Sequence, residues 1–157
     1  MKKNEQIETF FERLERLDAG ARARLKRNAG NPLAESRSGA LGLFYNLLPP
    51  GVPRHQEEKY FLVATLYPIA ESGGQGSLGE ALRRARNKDN EKGLNRRVEI
   101  LLDADEKQLP FRLRQAVRFL HSHRVPLDWR RLLQDLLSWN SPKRFVQQQW
   151  ARSYFAD

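Results

Sequence analysis

Apolar residues recur every three or four positions along almost the whole chain, and strict alternation is nearly absent. That period predicts α-helices rather than strands. Ile7, Phe10, Phe11, Leu14 and Leu17 share one face of a first helix. Asp18 is placed to cap a second, short and basic, which Gly30 ends. Leu41, Phe44, Tyr45 and Leu48 form the face of a third, and the run from Pro49 to Pro53 (PPGVP) makes a turn. A fourth helix is expected from Arg54 to Ala70. Its centre, Tyr60 to Tyr67, is apolar nearly all round, which marks a buried helix. A strand is the alternative for that run, but it is flanked by helix formers and begins without strand punctuation.

The segment Glu71 to Gly76 (ESGGQG) is the clearest break and divides the chain into possible lobes, 1–71 and 77–157, joined by a Gly-rich linker. Ser77 is placed to cap a helix from Leu78 to Lys88. Leu94, Val98, Leu101 and Leu102 form the next face. Pro110 opens a helix lined by Leu113, Ala116, Val117 and Leu120. Asp128 caps another, with Trp129, Leu132, Leu133, Leu136 and Leu137 as its stripe. Ser141-Pro142 reads as the start of a last helix through Phe145, Val146, Trp150 and Tyr154. The expectation is an all-α fold of about nine helices in a compact bundle, without repeats or a disordered tail.

Charge changes this picture more than composition does. Hydrophobic residues make up 39% of the 157 positions, enough for a core to form without metal or disulfides. The formal charge is +9, with 20 Arg against 8 Lys. The excess is not a tail: residues 1–70 carry 11 basic and 8 acidic groups, residues 71–157 carry 17 and 11. The planar arginine fork grips phosphate bidentately and stacks on bases, so this balance points to nucleic acid. There are no cysteines, which excludes disulfides and thiolate metal sites. No apolar run approaches the roughly 18 residues of a membrane span, and the N-terminus does not read as a signal peptide. A cytoplasmic protein with no membrane association is expected.

Catalytic and cofactor motifs do not hold up. Gly74-x-Gly76-x-x-Gly79 matches the dinucleotide fingerprint in letters only, because a helix precedes it and no parallel sheet is in prospect. Asp103, Asp105 and Glu106 sit together at a helix end, whereas two-metal nucleases need carboxylates from separate elements. His121 and His123 are two apart and do not share a helix face, and His55 is distant in sequence. No Ser-His-Asp, P-loop or HExxH arrangement occurs. The expectation is a protein without enzymatic activity, metal or cofactor.

The basic clusters are the informative feature. Arg22, Arg24, Lys26 and Arg27 crowd one short helix, and Arg96-Arg97 begin another. Arg114 and Arg118 fall close together opposite the stripe of Leu113, Ala116, Val117 and Leu120. Like charges four apart on a helix repel by a few tenths of a kcal/mol unless an anion or a carboxylate from another helix lies over them. The candidate nucleic-acid-binding residues are Arg22, Lys26, Arg27, Arg96, Arg97, Arg112, Arg114, Arg118 and Arg144. Lys26, Arg27, Arg96, Arg97, Arg114 and Arg118 are expected to make one discontinuous basic track.

Several stretches resemble the CasB family, the small subunit of the type I-E CRISPR surveillance complex, Cascade. They are Leu25-Lys26-Arg27, Arg54-His55-Gln56, Ser77-Leu78-Gly79-x-Ala81-Leu82, and Arg96-Arg97 leading into Leu102-Asp103-Ala104-Asp105. Leu113-Arg114 follows, then Leu127-Asp128-Trp129 ahead of a Leu-rich helix ending in Trp139. The resemblance spans nearly the whole chain, and its specificity lies in the order and spacing of the motifs. It implies an all-α fold and two copies stacked beside the CasC backbone, the CasA large subunit and the guide RNA. It also implies contact with target DNA and a hold on the DNA strand displaced in the R-loop. The family has no catalytic activity of its own; cleavage belongs to a separately recruited helicase-nuclease. Lys26 stands where the family often carries arginine, which keeps the charge but loses the bidentate fork. Two competing readings of the residues are a free-standing helical DNA-binding protein or regulator, and a protein adaptor whose basic faces meet acidic partners. The lack of a compact helix-turn-helix with a polar recognition face counts against the regulator.

Overall fold

The computed structural model describes residues 2–157. Among them are nine α-helices and three short 3-10 turns; the one β feature is an isolated parallel bridge between Ser72 and Leu127. The all-α expectation is met. No helix among the described residues is long and apolar enough to cross a membrane. The chain forms two compact units, Met1–Ile69 and Ala70–Asp157.

The first unit contains α1 (Lys3–Glu15), α2 (Ala19–Lys26), α3 (Ala40–Leu47) and α4 (Glu57–Leu66), with 3-10 turns at Leu33–Glu35, Arg54–Gln56 and Tyr67–Ile69. The single long helix expected from Arg54 to Ala70 is therefore three pieces. Every residue of α4 from Lys59 to Leu66 is buried, as its unbroken apolar run requires. Aromatic edges fill the space around it: Phe10 meets Tyr60 at 4.9 Å between centroids and Phe44 meets Phe61 at 5.3 Å. Both pairs are nearly perpendicular, the arrangement that brings a ring's positive edge to a negative face. Asp18 caps α2 as expected, accepting from the Ala21 N–H at 2.8 Å. The third helix differs from its predicted face. It buries Ala40, Phe44 and Leu47, while Leu41 and Tyr45 are exposed. Tyr45 instead donates its hydroxyl to the Glu57 carboxylate at 2.8 Å.

The second unit contains α5 (Leu78–Ala85), α6 (Glu91–Leu102), α7 (Leu109–Ser122), α8 (Trp129–Leu137) and α9 (Phe145–Phe155). Ser77 and Asp128 cap α5 and α8, accepting from the backbone N–H of Glu80 and Arg131. Pro110 lies in the first turn of α7. Gly79 lets α5 approach α9: a Cβ there would stand 2.4 Å from the Trp150 carbonyl oxygen. The segment Glu71–Gly76 is stitched to the loop before α8. The Leu127 N–H donates to the Glu71 carbonyl at 2.9 Å, the Gly74 N–H donates to the Leu127 carbonyl at 3.2 Å, and Asp128 accepts from the Gly76 N–H. The last helix does not start at Ser141-Pro142. Those residues form a turn closed by the Arg144 N–H on the Ser141 carbonyl, and Arg144 then takes the left-handed conformation (φ 52°) that admits α9. Phe145 is the first residue of that helix and is exposed.

A buried polar cluster ties α8 to α9. Asp135 accepts from the Trp150 indole N–H at 2.9 Å and from the Arg131 guanidinium at 3.1 Å. Trp139 packs on Trp150 and donates its own indole N–H to the Ala104 carbonyl at 3.0 Å.

Candidate nucleic-acid interface

The nine candidate residues divide between the units. Arg22, Lys26 and Arg27 belong to α2 and its end in the first; the other six belong to the second. On α2, Ala21 and Leu25 face the core, so Lys26 and Arg27 are turned outward and are exposed without a side-chain partner. Arg22 is on the flank. Its guanidinium lies 5.8 Å from the Tyr67 ring centre, a cation–π contact, while its Nε is buried with no acceptor.

On α6, Leu94, Val98, Leu101 and Leu102 are buried, which leaves Arg96 at the solvent pole, exposed and unpaired. Arg97 is exposed on the flank, with its guanidinium 5.9 Å from the Phe119 ring centre of α7. Helix α7 buries Leu109, Leu113, Val117 and Leu120. Of the predicted stripe, Ala116 is only half-buried, on the flank toward α6.

The arginines of α7 separate onto two flanks. Arg112 joins Arg97 along a groove between α6 and α7 floored by Leu94, Val98, Leu101 and Ala116. Its guanidinium lies 5.2 Å from the Phe111 ring centre and donates to the Gln115 side-chain oxygen at 3.3 Å. Arg114 and Arg118 do not line that groove. Arg118 is exposed and unpaired; Arg114 is half-buried, with its Nε shielded and lacking an acceptor. Neither has a carboxylate partner from a neighbouring helix, which was the structural alternative for this pair.

Arg144 is placed differently again. It donates to the Leu102 carbonyl and lies 3.9 Å from Asp103, so it closes the C-terminal end of α6, where partial negative charge gathers. The carboxylates near it are turn formers. Asp105 accepts from the Lys107 and Gln108 N–H groups at 2.9 Å each, ahead of α7. Among the described residues no three His, Asp or Glu converge as a metal site would require.

The groove between α6 and α7 is the feature that reading for arginines alone missed. Positions 112, 115/116 and 119 repeat at helical spacing and define that flank of α7. The signal is present in the sequence, but the like-charged pair opposite the core is the louder one.

The family model described as CRISPR-associated protein Cse2 matches residues 21–155. The chain belongs to the Cse2 family. A CRISPR-associated protein Cse2 from Thermus thermophilus is 38% identical, over 94% of this chain and 89% of its own length. The solved CasB of Thermus thermophilus superposes with a TM-score of 0.82 at 33% identity, covering 100% of both chains. The CasB resemblance read from the residues is borne out. A chain of a solved CRISPR RNA-guided surveillance complex reaches a TM-score of 0.81, over 96% of this chain and 92% of its own, at 21% identity, a likeness of fold.

Several motifs that carry the Cse2 resemblance hold the fold. Ser77 and Asp128 cap helices, Gly79 is pressed against Trp150, and the Ala104 carbonyl receives the Trp139 indole. Lys26, Arg27, Arg96 and Arg97 play no such part. All four are exposed, and none pairs with a carboxylate. In this Cse2-family chain those motifs therefore combine structural residues with solvent-facing cations.

Proposed function

We propose that this chain is a non-catalytic subunit of a type I-E CRISPR surveillance complex, where it holds nucleic acid without reading its sequence. The observation that carries this reading is the set of exposed cations that no carboxylate pairs: Lys26 and Arg27 in one unit, Arg96 and Arg118 in the other. Cations without carboxylate partners repel one another until a polyanion covers them. The Cse2 family and the shared fold with a surveillance-complex chain support the setting. The partners in this reading are the guide RNA, target DNA and its displaced single strand, the CasA large subunit, the CasC backbone and a second copy of this chain, in the cytoplasm.

The physics of the R-loop makes such a role effective without chemistry. The RNA–DNA heteroduplex is about as stable as the DNA duplex it replaces, so opening is nearly balanced. A modest electrostatic hold on the displaced strand tips that balance. The test is co-expression with the backbone and large subunits and a guide RNA, followed by purification on this chain. Recovery of a stoichiometric complex containing the guide is expected. A chain that purifies alone, and that binds single-stranded DNA equally weakly at low and high salt, would remove the proposal.

A further inference from the structure

Holding a strand by phosphates alone does not explain the groove between α6 and α7. Its lining comprises Leu82, Leu94, Val98, Leu101, Ala116 and Phe119, with Ile100, Arg97, Arg112 and Gln115 along its edges. Ile100 is 39% exposed, and Phe111, beside the groove under the Arg112 guanidinium, is 52% exposed. No carboxylate lines this groove. Two guanidinium groups therefore stand at an apolar strip, each set over an aromatic ring and neither neutralised by an acid.

We infer that this groove is a stacking platform for an unpaired nucleobase, with Arg97 and Arg112 on the flanking phosphates. The inference rests on the nucleic-acid reading above and adds a base contact to it. Charge and shape both favour this occupant. The cations suit an anionic backbone whose phosphates lie beside each base. The enclosed space is only about 30 Å³, room for one or two water molecules. A branched side chain from a protein partner would need a deeper hole to bury itself, whereas a flat ring covers a shallow apolar strip by lying across it. Exposed aromatics interleaved with arginine are the means by which single strands are held without sequence preference, since every base offers a π-face.

The test compares two oligonucleotides of equal length and charge, oligo-dT and the same backbone built from abasic tetrahydrofuran units. Wild-type protein is titrated with each at one salt concentration. Tighter binding of oligo-dT by about tenfold is expected, the contribution of a single stacked base. The variant Ile100→Ser with Phe111→Ala trims two partly exposed residues, with circular dichroism as the folding control; it should erase the difference while leaving the salt slope intact. Arg97→Ala with Arg112→Ala should instead weaken both oligonucleotides and flatten the slope. Equal binding of the two oligonucleotides by wild-type protein overturns the platform and leaves the electrostatic reading standing. That result needs no variant, so a misfolded mutant cannot obscure it. Failure to bind either oligonucleotide removes the nucleic-acid reading and the platform together. If the Ile100/Phe111 variant keeps the wild-type preference but no longer co-purifies with the large and backbone subunits, the groove is a protein-docking surface and the base platform is wrong.

Discussion

The two units close their cores by different means. The first surrounds one apolar helix, α4, with aromatic edges and ties two buried polar side chains to backbone: Asn28 donates to the Arg24 and Arg37 carbonyls, and Gln6 to the Pro50 carbonyl. Arg13 is its clearest structural arginine, reaching the carbonyls at the end of α3, with the Leu48 oxygen at 3.2 Å. The second unit relies on close helix approach and on polar ties. Arg83 donates to the Tyr154 carbonyl at 2.8 Å, Arg86 lies over the Tyr154 ring and reaches the same carbonyl, Arg131 holds Asp135, and Arg144 closes α6. The difference teaches how to sort arginines in a basic protein. Those that reach another helix's C-terminal end find carbonyls carrying partial negative charge and become structural. Those in mid-helix, opposite the core, find nothing and stay available. By this criterion the second unit's larger basic excess is partly architectural, and Arg96 and Arg118 are among its cations left without a side-chain partner.

The comparison breaks first at Gly79. Replacement by alanine sets a Cβ 2.4 Å from backbone oxygen and 2.9 Å from the Trp150 Cα, so α5 and α9 must separate. Overpacking usually costs about 1–3 kcal/mol; with rigid backbone as the obstacle we expect about 4 kcal/mol from urea unfolding. A loss below about 1 kcal/mol would show that the second unit does not depend on this approach. Asp135→Ala comes next. It leaves the Trp150 N–H buried without an acceptor and frees Arg131, for an expected loss of about 2–3 kcal/mol. Stability equal to wild type would mean the polar tie is dispensable.

The free cations should behave in the opposite way. Lys26→Ala with Arg27→Ala, and separately Arg96→Ala with Arg118→Ala, should leave melting temperatures close to wild type, because none of the four has a side-chain partner. Each pair should flatten the dependence of log affinity for single-stranded DNA on log salt by about 1.4, from about 0.7 per phosphate contact. Unrelated sequences should be affected alike, since phosphates carry no sequence information. Arg83→Ala is the control, expected to lower stability and leave the slope unchanged. A flattened slope in that control, or unfolding in either cation pair, would collapse the distinction between structural and available arginines.

Much of the fold was legible because it rests on local signals. The caps at Asp18, Ser77 and Asp128 are short-range hydrogen bonds written in three or four letters, and the stripes of α1, α6 and α8 follow the helical period. What escaped depends on distant residues. Leu41 and Tyr45 fit a helical stripe as well as Ala40, Phe44 and Leu47 do, and only the position of α4 decides which face is covered. Ser141-Pro142 carries a good start signal, but the turn it makes answers to Arg144, which is drawn to the end of α6, 42 residues away in sequence. The candidate site was legible as a set of cations and illegible as a surface. Nothing within α7 alone shows that Arg112 faces α6 while Arg114 and Arg118 do not, because that depends on which helix packs beside it.

The smallest expected effect at neutral pH concerns a buried hydroxyl of the first unit. Tyr60 is fully buried and its hydroxyl has no hydrogen-bond partner, whereas Tyr154 in the second unit donates to Asn95 at 2.7 Å. Burial pushes the Tyr60 phenol up from 10.0 to about 12. Below pH 10 the phenol is protonated in both folded and unfolded chains, so it contributes no pH dependence. Between about pH 10 and 12 the unfolded chain releases the proton while the folded chain retains it, and stability therefore falls as pH rises. The fall attributable to this one group approaches about 2–3 kcal/mol once pH passes 12, since a tenfold change in proton affinity is worth about 1.4 kcal/mol. Tyr60→Phe removes the unpartnered hydroxyl and keeps the ring against Phe10. At pH 7 it should change stability by less than about 1 kcal/mol, because no hydrogen bond is lost. At pH 11 it should be more stable than wild type by about 1 kcal/mol, because the unfolded chain no longer gains from ionising that phenol. Urea unfolding of both proteins at pH 7 and pH 11 measures this. A variant that loses about 2 kcal/mol or more at pH 7 would show that the hydroxyl is partnered after all. The aromatic core around α4 would then hold a partnered hydroxyl as the second unit's does at Tyr154, and the contrast between those two sites would disappear.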